Sequence, residues 1–225
     1  MGENSKIAWT DHTWNPWQGC HKVSDGCKNC YMYRDKKRYG QDASIVVRSA
    51  LATFNKPLTW KEPAKVFVCS WSDFFIKEAD KWRMDAYKIM EKTPHLTYLL
   101  LTKRPDRMIN ILSDNQWIGV TVENAKNKWR IDRLRYKIAP VKFLSIEPLI
   151  GDIGNLNLNG IDWVIVGAES GPNRRPCNLE WIWDIIRQCD DMEIPVFIKQ
   201  LDFGNKLSTN PKEWPEDLRR QEFPK

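Results

Sequence analysis

The sequence predicts an α/β fold, a partial parallel βα barrel of about six to seven strands, and three observations predict it. Six short runs rich in β-branched and apolar residues recur along the chain, at 66–69, 98–102, 117–122, 142–146, 163–167 and 196–199. Continuous runs of this kind suit strands buried on both faces. Helical patterns lie between several of them, at 80–92, 105–112, 124–137 and 179–189, and alternation at intervals of about 20 to 30-odd residues is that of βαβ units in a parallel sheet. Polar or charged side chains come after every run, as they do at the carboxyl rim of such a sheet when it carries a site. Six strands and one further candidate fall short of the eight of a closed barrel. The same alternation also allows a flat, doubly wound sheet.

The first elements are the least regular. Residues 6–19 carry Trp9, Trp14 and Trp17 with Pro16, and predict a short strand at 13–17 whose tryptophans either fill the core or stack on a substrate. Residues 31–39 predict a helix ended by Gly40, with Arg34, Lys36, Lys37 and Arg38 on its wet side. The run 45–47 is a strand or an extended loop. Residues 155–160 form an Asn/Gly loop, and the tail from 205, with Pro211, Pro215 and Pro224, wraps the surface. At 225 residues the chain is expected to be one domain.

Composition narrows the compartment and the partners. No apolar run approaches membrane-span length, and the polar start Met1 to Lys6 lacks the apolar centre of a signal peptide, so a cytoplasmic protein is expected. In a reducing compartment the six cysteines are free thiols or metal ligands rather than disulfides. A net charge of +6 permits phosphate-rich partners. The helix at 124–137, with Lys126, Lys128, Arg130, Arg133, Arg135 and Lys137, presents either an ordinary solvated face or a nucleic-acid contact.

Half of the cysteines stand in one loop, Cys20, Cys27 and Cys30, spaced C-x6-C-x2-C with a glycine before each of the first two. Such a loop brings three thiolates to one centre. An iron–sulfur cube on three cysteines keeps one iron open, whereas zinc needs a fourth ligand, for which His21 is the neighbour. Cys69, Cys177 and Cys189 lack ligand spacing and are expected to be buried thiols. The residues just after each strand assemble a candidate site from Ser70, Ser72 and Asp73, then Lys103 and Arg104, Glu123, Ser145 and Glu147, Glu169, and Lys199. Among these, Lys103, Glu147, Glu169 and Lys199 are the candidates for catalysis. Arg104, Arg174 and Arg175 are candidates for holding substrate. The last two, in Gly167 to Pro176, suit a carboxylate or phosphate, or else pair with Glu169 or Glu147.

The words around these residues carry a resemblance. Trp9-Thr10-Asp11, Thr13-Trp14-Asn15-Pro16, Val23-Ser24-Asp25-Gly26-Cys27, Cys69 to Phe75, Leu101-Thr102-Lys103-Arg104-Pro105, Ser145-Ile146-Glu147-Pro148, Gly167-Ala168-Glu169-Ser170-Gly171 and Glu222-Phe223-Pro224 together resemble the phage-associated three-cysteine protein family. The chain also looks like a radical S-adenosylmethionine (SAM) enzyme, similar to the spore photoproduct lyase branch. Its first cysteine interval is six where the commonest radical SAM interval is three.

The resemblance implies a [4Fe-4S] cluster on Cys20, Cys27 and Cys30, with SAM on the open iron. It implies Ser70, Ser72 and Asp73 around the SAM amino group, Asp73 alternatively capping the next helix, and Glu123 or Ser145 at the ribose. It further implies a flavodoxin- or ferredoxin-like electron donor in a bacterial or phage-infected host cytoplasm, and suggests a nucleic-acid base as substrate. The alternative is a non-enzymatic zinc- or cluster-binding module of phage or mobile-element origin.

Overall fold

A computed structural model describes residues 2–225. Its strands are β1 (His12–Trp14), β2 (Trp17–Gln18), β3 (Val47–Arg48), β4 (Ala64–Val68), β5 (Leu96–Thr102), β6 (Gln116–Thr121), β7 (Lys142–Ile146), β8 (Trp163–Gly167), β9 (Val196–Asp202) and β10 (Leu207–Ser208). One eight-stranded sheet runs in the order β1-β4-β5-β6-β7-β8-β9-β10 and curls into a half-barrel. All neighbours in it are parallel except the antiparallel pair β9 and β10. The flat alternative therefore falls, and the count is one above the expected range because the hairpin partner β10 is too short to read from sequence. β2 and β3 form a separate antiparallel pair.

Residue parity explains how the curl is filled. In the central strands the even-numbered side chains, such as Val66, Leu100, Val120, Leu144, Val166 and Ile198, pack outward into the main core with the helices α3 (Asp80–Glu91), α4 (Trp129–Arg135) and α5 (Leu179–Asp190). The odd-numbered Phe67, Leu99, Phe143, Trp163, Ile165 and Phe197 face inward and form a second cluster with Trp9. Because strand side chains alternate faces, both clusters arise from runs that read as continuously apolar. Trp163 is the centre of the inner cluster, with Phe143, Phe197, Trp117 and Phe223 around it at ring separations of 5.2–6.2 Å. Gly119 makes room for this packing: a Cβ there would lie 2.5 Å from the Phe143 ring. Towards the carboxyl ends the same inward positions become Leu101, Thr121, Ser145 and Lys199, and the aromatic filling gives way to a cavity.

Three expected elements differ. The first strand stops at Trp14, ahead of Pro16, whose missing N–H cannot extend a ladder. The helix expected at 105–112 is a single 3-10 turn, Pro105–Arg107, because the Ile111 N–H is drawn to the Ile138 carbonyl at 2.7 Å. The helix expected at 124–137 splits into a 3-10 turn, Ala125–Asn127, and α4. The helix after the cysteine loop forms as α1 (Tyr31–Arg38), and a short α2 (Leu51–Phe54) comes after β3. Trp9, Trp14 and Trp17 are all buried, so each packs in the core. Among the described residues no helix is long and apolar enough to cross a membrane.

Candidate functional site

A cavity of about 860 Å³ opens over the carboxyl ends of the parallel strands, and Cys20, Cys27 and Cys30 all line it. Ser70, Ser72 and Asp73 after β4, Lys103 and Arg104 after β5, Ser145 and Glu147 at the end of β7, Glu169 after β8, and Lys199 on β9 share its wall. Glu123, Arg174 and Arg175 stand outside that wall. The strand-end residues named from the sequence, Glu123 excepted, thus share one wall, at the carboxyl ends that parallel connectivity places together.

The cysteine loop is nearly devoid of regular structure and is held from outside. Gly19 has φ +94°, and a Cβ on it would fall 2.2 Å from the Ile45 carbonyl oxygen, so no other residue fits. Its N–H donates to the Trp71 carbonyl at 3.0 Å, and Ser72 Oγ donates to its carbonyl at 2.6 Å. Asn15 Nδ2 donates to Ser70 Oγ at 2.9 Å, and Tyr31 OH donates to the Ser70 carbonyl at 2.6 Å. Ser70 and Ser72 are therefore engaged in fastening the loop to the end of β4.

Asp73 is fully committed as well. Its Oδ1 accepts from Phe75 N at 2.9 Å and Thr102 Oγ1 at 2.7 Å, and its Oδ2 from Lys103 N at 3.1 Å and Arg104 Nη1 at 2.9 Å. Those four bonds use the acceptor sites of one carboxylate. Asp73 thus braces the turns after β4 and β5, and Arg104, expected to hold substrate, is its ion-pair partner. Arg104 also reaches the cysteine loop: Nη1 lies 3.6 Å from Cys20 Sγ, and Nη2 donates to the His21 carbonyl at 2.8 Å. Burial works against the guanidinium charge, and Asp73 and Cys20 more than offset it, so its pKa lies above the ordinary arginine value.

Glu123 has no exposed surface. Its Oε2 accepts from Arg130 Nη1 at 2.8 Å, and its Oε1 accepts from Ser24 Oγ at 2.5 Å with Lys103 Nζ 3.7 Å away. Gly26 packs directly on it, a Cβ there being 2.4 Å from Glu123 Cγ. Arg130, expected on a wet face, is turned inward by this carboxylate. On the other flank Arg175 forks onto Glu169, with Nε to Oε2 at 2.9 Å, and donates Nη1 to the Asp25 carbonyl at 3.0 Å. Asn29 Nδ2 donates to the same Glu169 Oε2 at 2.9 Å. Arg174 pairs with Asp202 at 3.3 Å. Both arginines belong to networks that frame the loop rather than to an open anion site.

Burial is the largest influence on Cys20 and Cys30. It pushes Cys20 up to about 11 against the pull of Arg104, and it raises Cys30 against the backbone N–H of Met32, at the start of α1, and the Lys103 charge. The two cations after β5 thus attend two of the three loop thiols. Cys69, Cys177 and Cys189 are buried and free, with Cys177 and Cys189 each pushed up to about 12 by burial. His21 does not turn towards the thiols: its Nε2 lies 2.8 Å from Glu78 Oε1 at the surface. Among the described residues no three His, Cys, Asp or Glu side chains stand close enough together to hold one metal ion.

Some wall groups are uncommitted. Glu147 and Lys199 pair only with each other. The hydroxyls of Thr13, Thr121 and Ser145 line the cavity and make no hydrogen bond to another described residue. Sequence reading gave no site role to Ser24, Asn29, Tyr31 or Tyr33, which position the loop. No curated protein and no solved structure matches the chain. One family model spans residues 4–221, every strand included, and the chain belongs to that family, described as Protein of unknown function (DUF5131).

Proposed function

We propose that the protein is an iron–sulfur enzyme of the radical SAM type, with Cys20, Cys27 and Cys30 as the ligands of a [4Fe-4S] cluster and SAM as the second occupant of the cavity. One observation carries the reading: three free thiols of a single loop line one cavity at the carboxyl rim of a parallel half-barrel. The donor set suits a cluster, since its ligands sit on separate irons and need not converge on a point as those of a single ion do. That His21 is engaged with Glu78 speaks against the zinc-binding module. When bound, the cluster would supply the electron that cleaves SAM reductively.

The chain's own residues divide the remaining work. Lys103 and Arg104 place positive charge beside Cys30 and Cys20, which favours the thiolate forms that bind iron. Glu147 and Lys199 are the carboxylate and ammonium freest to exchange partners, and together they match the ammonium and carboxylate of the SAM amino-acid moiety. Ser145, Thr121 and Thr13 offer open hydroxyls to its sugar. Asp73 and Glu123 act by positioning, through the turns and the loop they brace. An external one-electron donor of the flavodoxin or ferredoxin kind completes the system, and the net charge of +6 favours an anionic substrate such as nucleic acid.

The test is anaerobic reconstitution of the full chain, reduction with dithionite and chromatography of the SAM products. Formation of 5'-deoxyadenosine above the level of a Cys30→Ala control is expected. A full complement of iron and sulfide with no such excess would refute the enzyme reading.

A further inference from the structure

A second hollow, of about 420 Å³, shares no wall residue with the cavity and lies between α1 and the β2–β3 pair. Its wall includes Gln18, Lys36, Gln41, Asp42 and Arg48. Lys36 belongs to a run of three cations, Lys36-Lys37-Arg38, yet only 5% of its surface is exposed while its two neighbours are open to water. Its ammonium donates to Gln18 Oε1 at 2.9 Å and Gln41 Oε1 at 2.8 Å, and lies 5.6 Å from the Trp71 ring. No carboxylate among the described residues pairs with it. Buried charges are ordinarily paired, because neutral dipoles only partly replace the water they lose.

The two glutamines extend the argument. An ammonium can only donate, so both amides must turn their oxygens to Lys36 and their N–H₂ groups away from it. Neither Nε2 has an acceptor among the described residues. Arg48 is in the same condition: its guanidinium lies 3.9 Å from the Phe54 ring centre and makes no hydrogen bond or ion pair to another described residue. Against these donors the wall offers one carboxylate, Asp42, whose Oδ1 is already occupied by Ser44 N at 2.8 Å and Ser44 Oγ at 2.7 Å.

We infer that this hollow is an anion site for a phosphate group, held by the guanidinium of Arg48 and the ammonium of Lys36, with the Gln18 and Gln41 amides as further donors. A carboxylate has only about four acceptor positions, fewer than the N–H groups on offer, whereas a phosphate takes a two-pronged arginine and a lysine together. Occupancy ties β2, which leads into the cysteine loop, to α1, which leaves it. The site is independent of the cluster proposal, since it uses none of the cysteines and none of the cavity wall.

Titration calorimetry on the full chain tests it, with inorganic phosphate, a nucleoside monophosphate and a short single-stranded oligonucleotide as separate probes compared at one ionic strength, and the oligonucleotide also titrated over a series of salt concentrations. Saturable binding of at least one probe is expected. Arg48→Gln should weaken it about tenfold or more, and Asp42→Asn should tighten it by removing the one opposing charge. Lys36→Gln should weaken it too, but it disturbs a buried group, so the Arg48 and Asp42 variants, both nearer the surface, decide the matter with circular dichroism confirming their fold. Binding of the oligonucleotide alone, with a shallower salt dependence in Arg48→Gln, identifies a nucleic-acid backbone as the source; binding of the small phosphates alone identifies a metabolite. Absence of saturable binding by all three probes, or equal affinity in Arg48→Gln and the parent, would overturn the inference.

Discussion

Glu123 and the three loop cysteines are the residues on which the site depends most. Glu123, itself without exposed surface, draws the buried Arg130 inward from α4 and holds the half-buried Ser24 of the loop. Removing one partner of a buried pair strands the other charge, so Glu123→Ala should cost about 3–5 kcal/mol, read by urea unfolding, and Arg130→Met in the same chain should return part of it. Equal losses in the single and double variants would mean that the pair is not what is being broken. For the thiols, replacing Cys20, Cys27 or Cys30 by Ala should each abolish the visible absorption of the reconstituted protein, while Cys189→Ala, on the helix side of the sheet, should leave it intact. Full absorption in Cys27→Ala would remove that cysteine from the ligand set. Residue type alone could not separate these roles. Asp73 and Glu123 stand where a ligand-binding carboxylate would stand, and only the arrival of Arg104 and Arg130 from elsewhere in the chain shows that both are braces.

The cysteine loop is an element whose shape is imposed by its neighbours. Apart from the turn Asp25–Cys27 it has no repeating structure, and it is bracketed by the ends of β4, β6 and β8 through Ser72, Glu123 and Glu169. The third bracket is sensitive to acid. Burial acts to raise the Glu169 pKa, but Arg175 and Asn29 outweigh it and hold the carboxyl below its ordinary value near 4.5. A depressed carboxylate contributes stability that is present above the ordinary value and is lost as pH falls through the folded one. Hydrogen-exchange protection of residues 25–30 should therefore drop as the pH is taken below about 4.5, and Glu169→Gln should abolish that dependence. Unchanged protection across this range in the parent would show that the bracket does not hold the loop. Such cross-connections pair residues up to 150 positions apart, which is why the loop's cysteine spacing was legible in the sequence and its supports were not.

At the scale of the molecule, the parallel sheet and its candidate rim were readable because strand period and the alternation of strands with helices lie along the chain, whereas the choice between a curled and a flat sheet does not. The continuous apolar runs marked six strands, and the polar residues after them marked the rim. What the runs could not show is the division between faces: with both sides apolar, the inward set Phe67, Phe143, Trp163 and Phe197 looks like the outward one until the sheet curls. That inward set fills the amino end of the curl and leaves the carboxyl end open, and so it determines where a cavity exists at all. Whether the cavity receives SAM beside a cluster with an open iron is most directly read by electron paramagnetic resonance of the reconstituted, dithionite-reduced full chain, recorded with and without SAM. The account predicts a reduced-cluster signal whose g-values shift when SAM is added. Identical spectra with and without SAM, in protein shown by iron and sulfide analysis to carry a complete cluster, would contradict it.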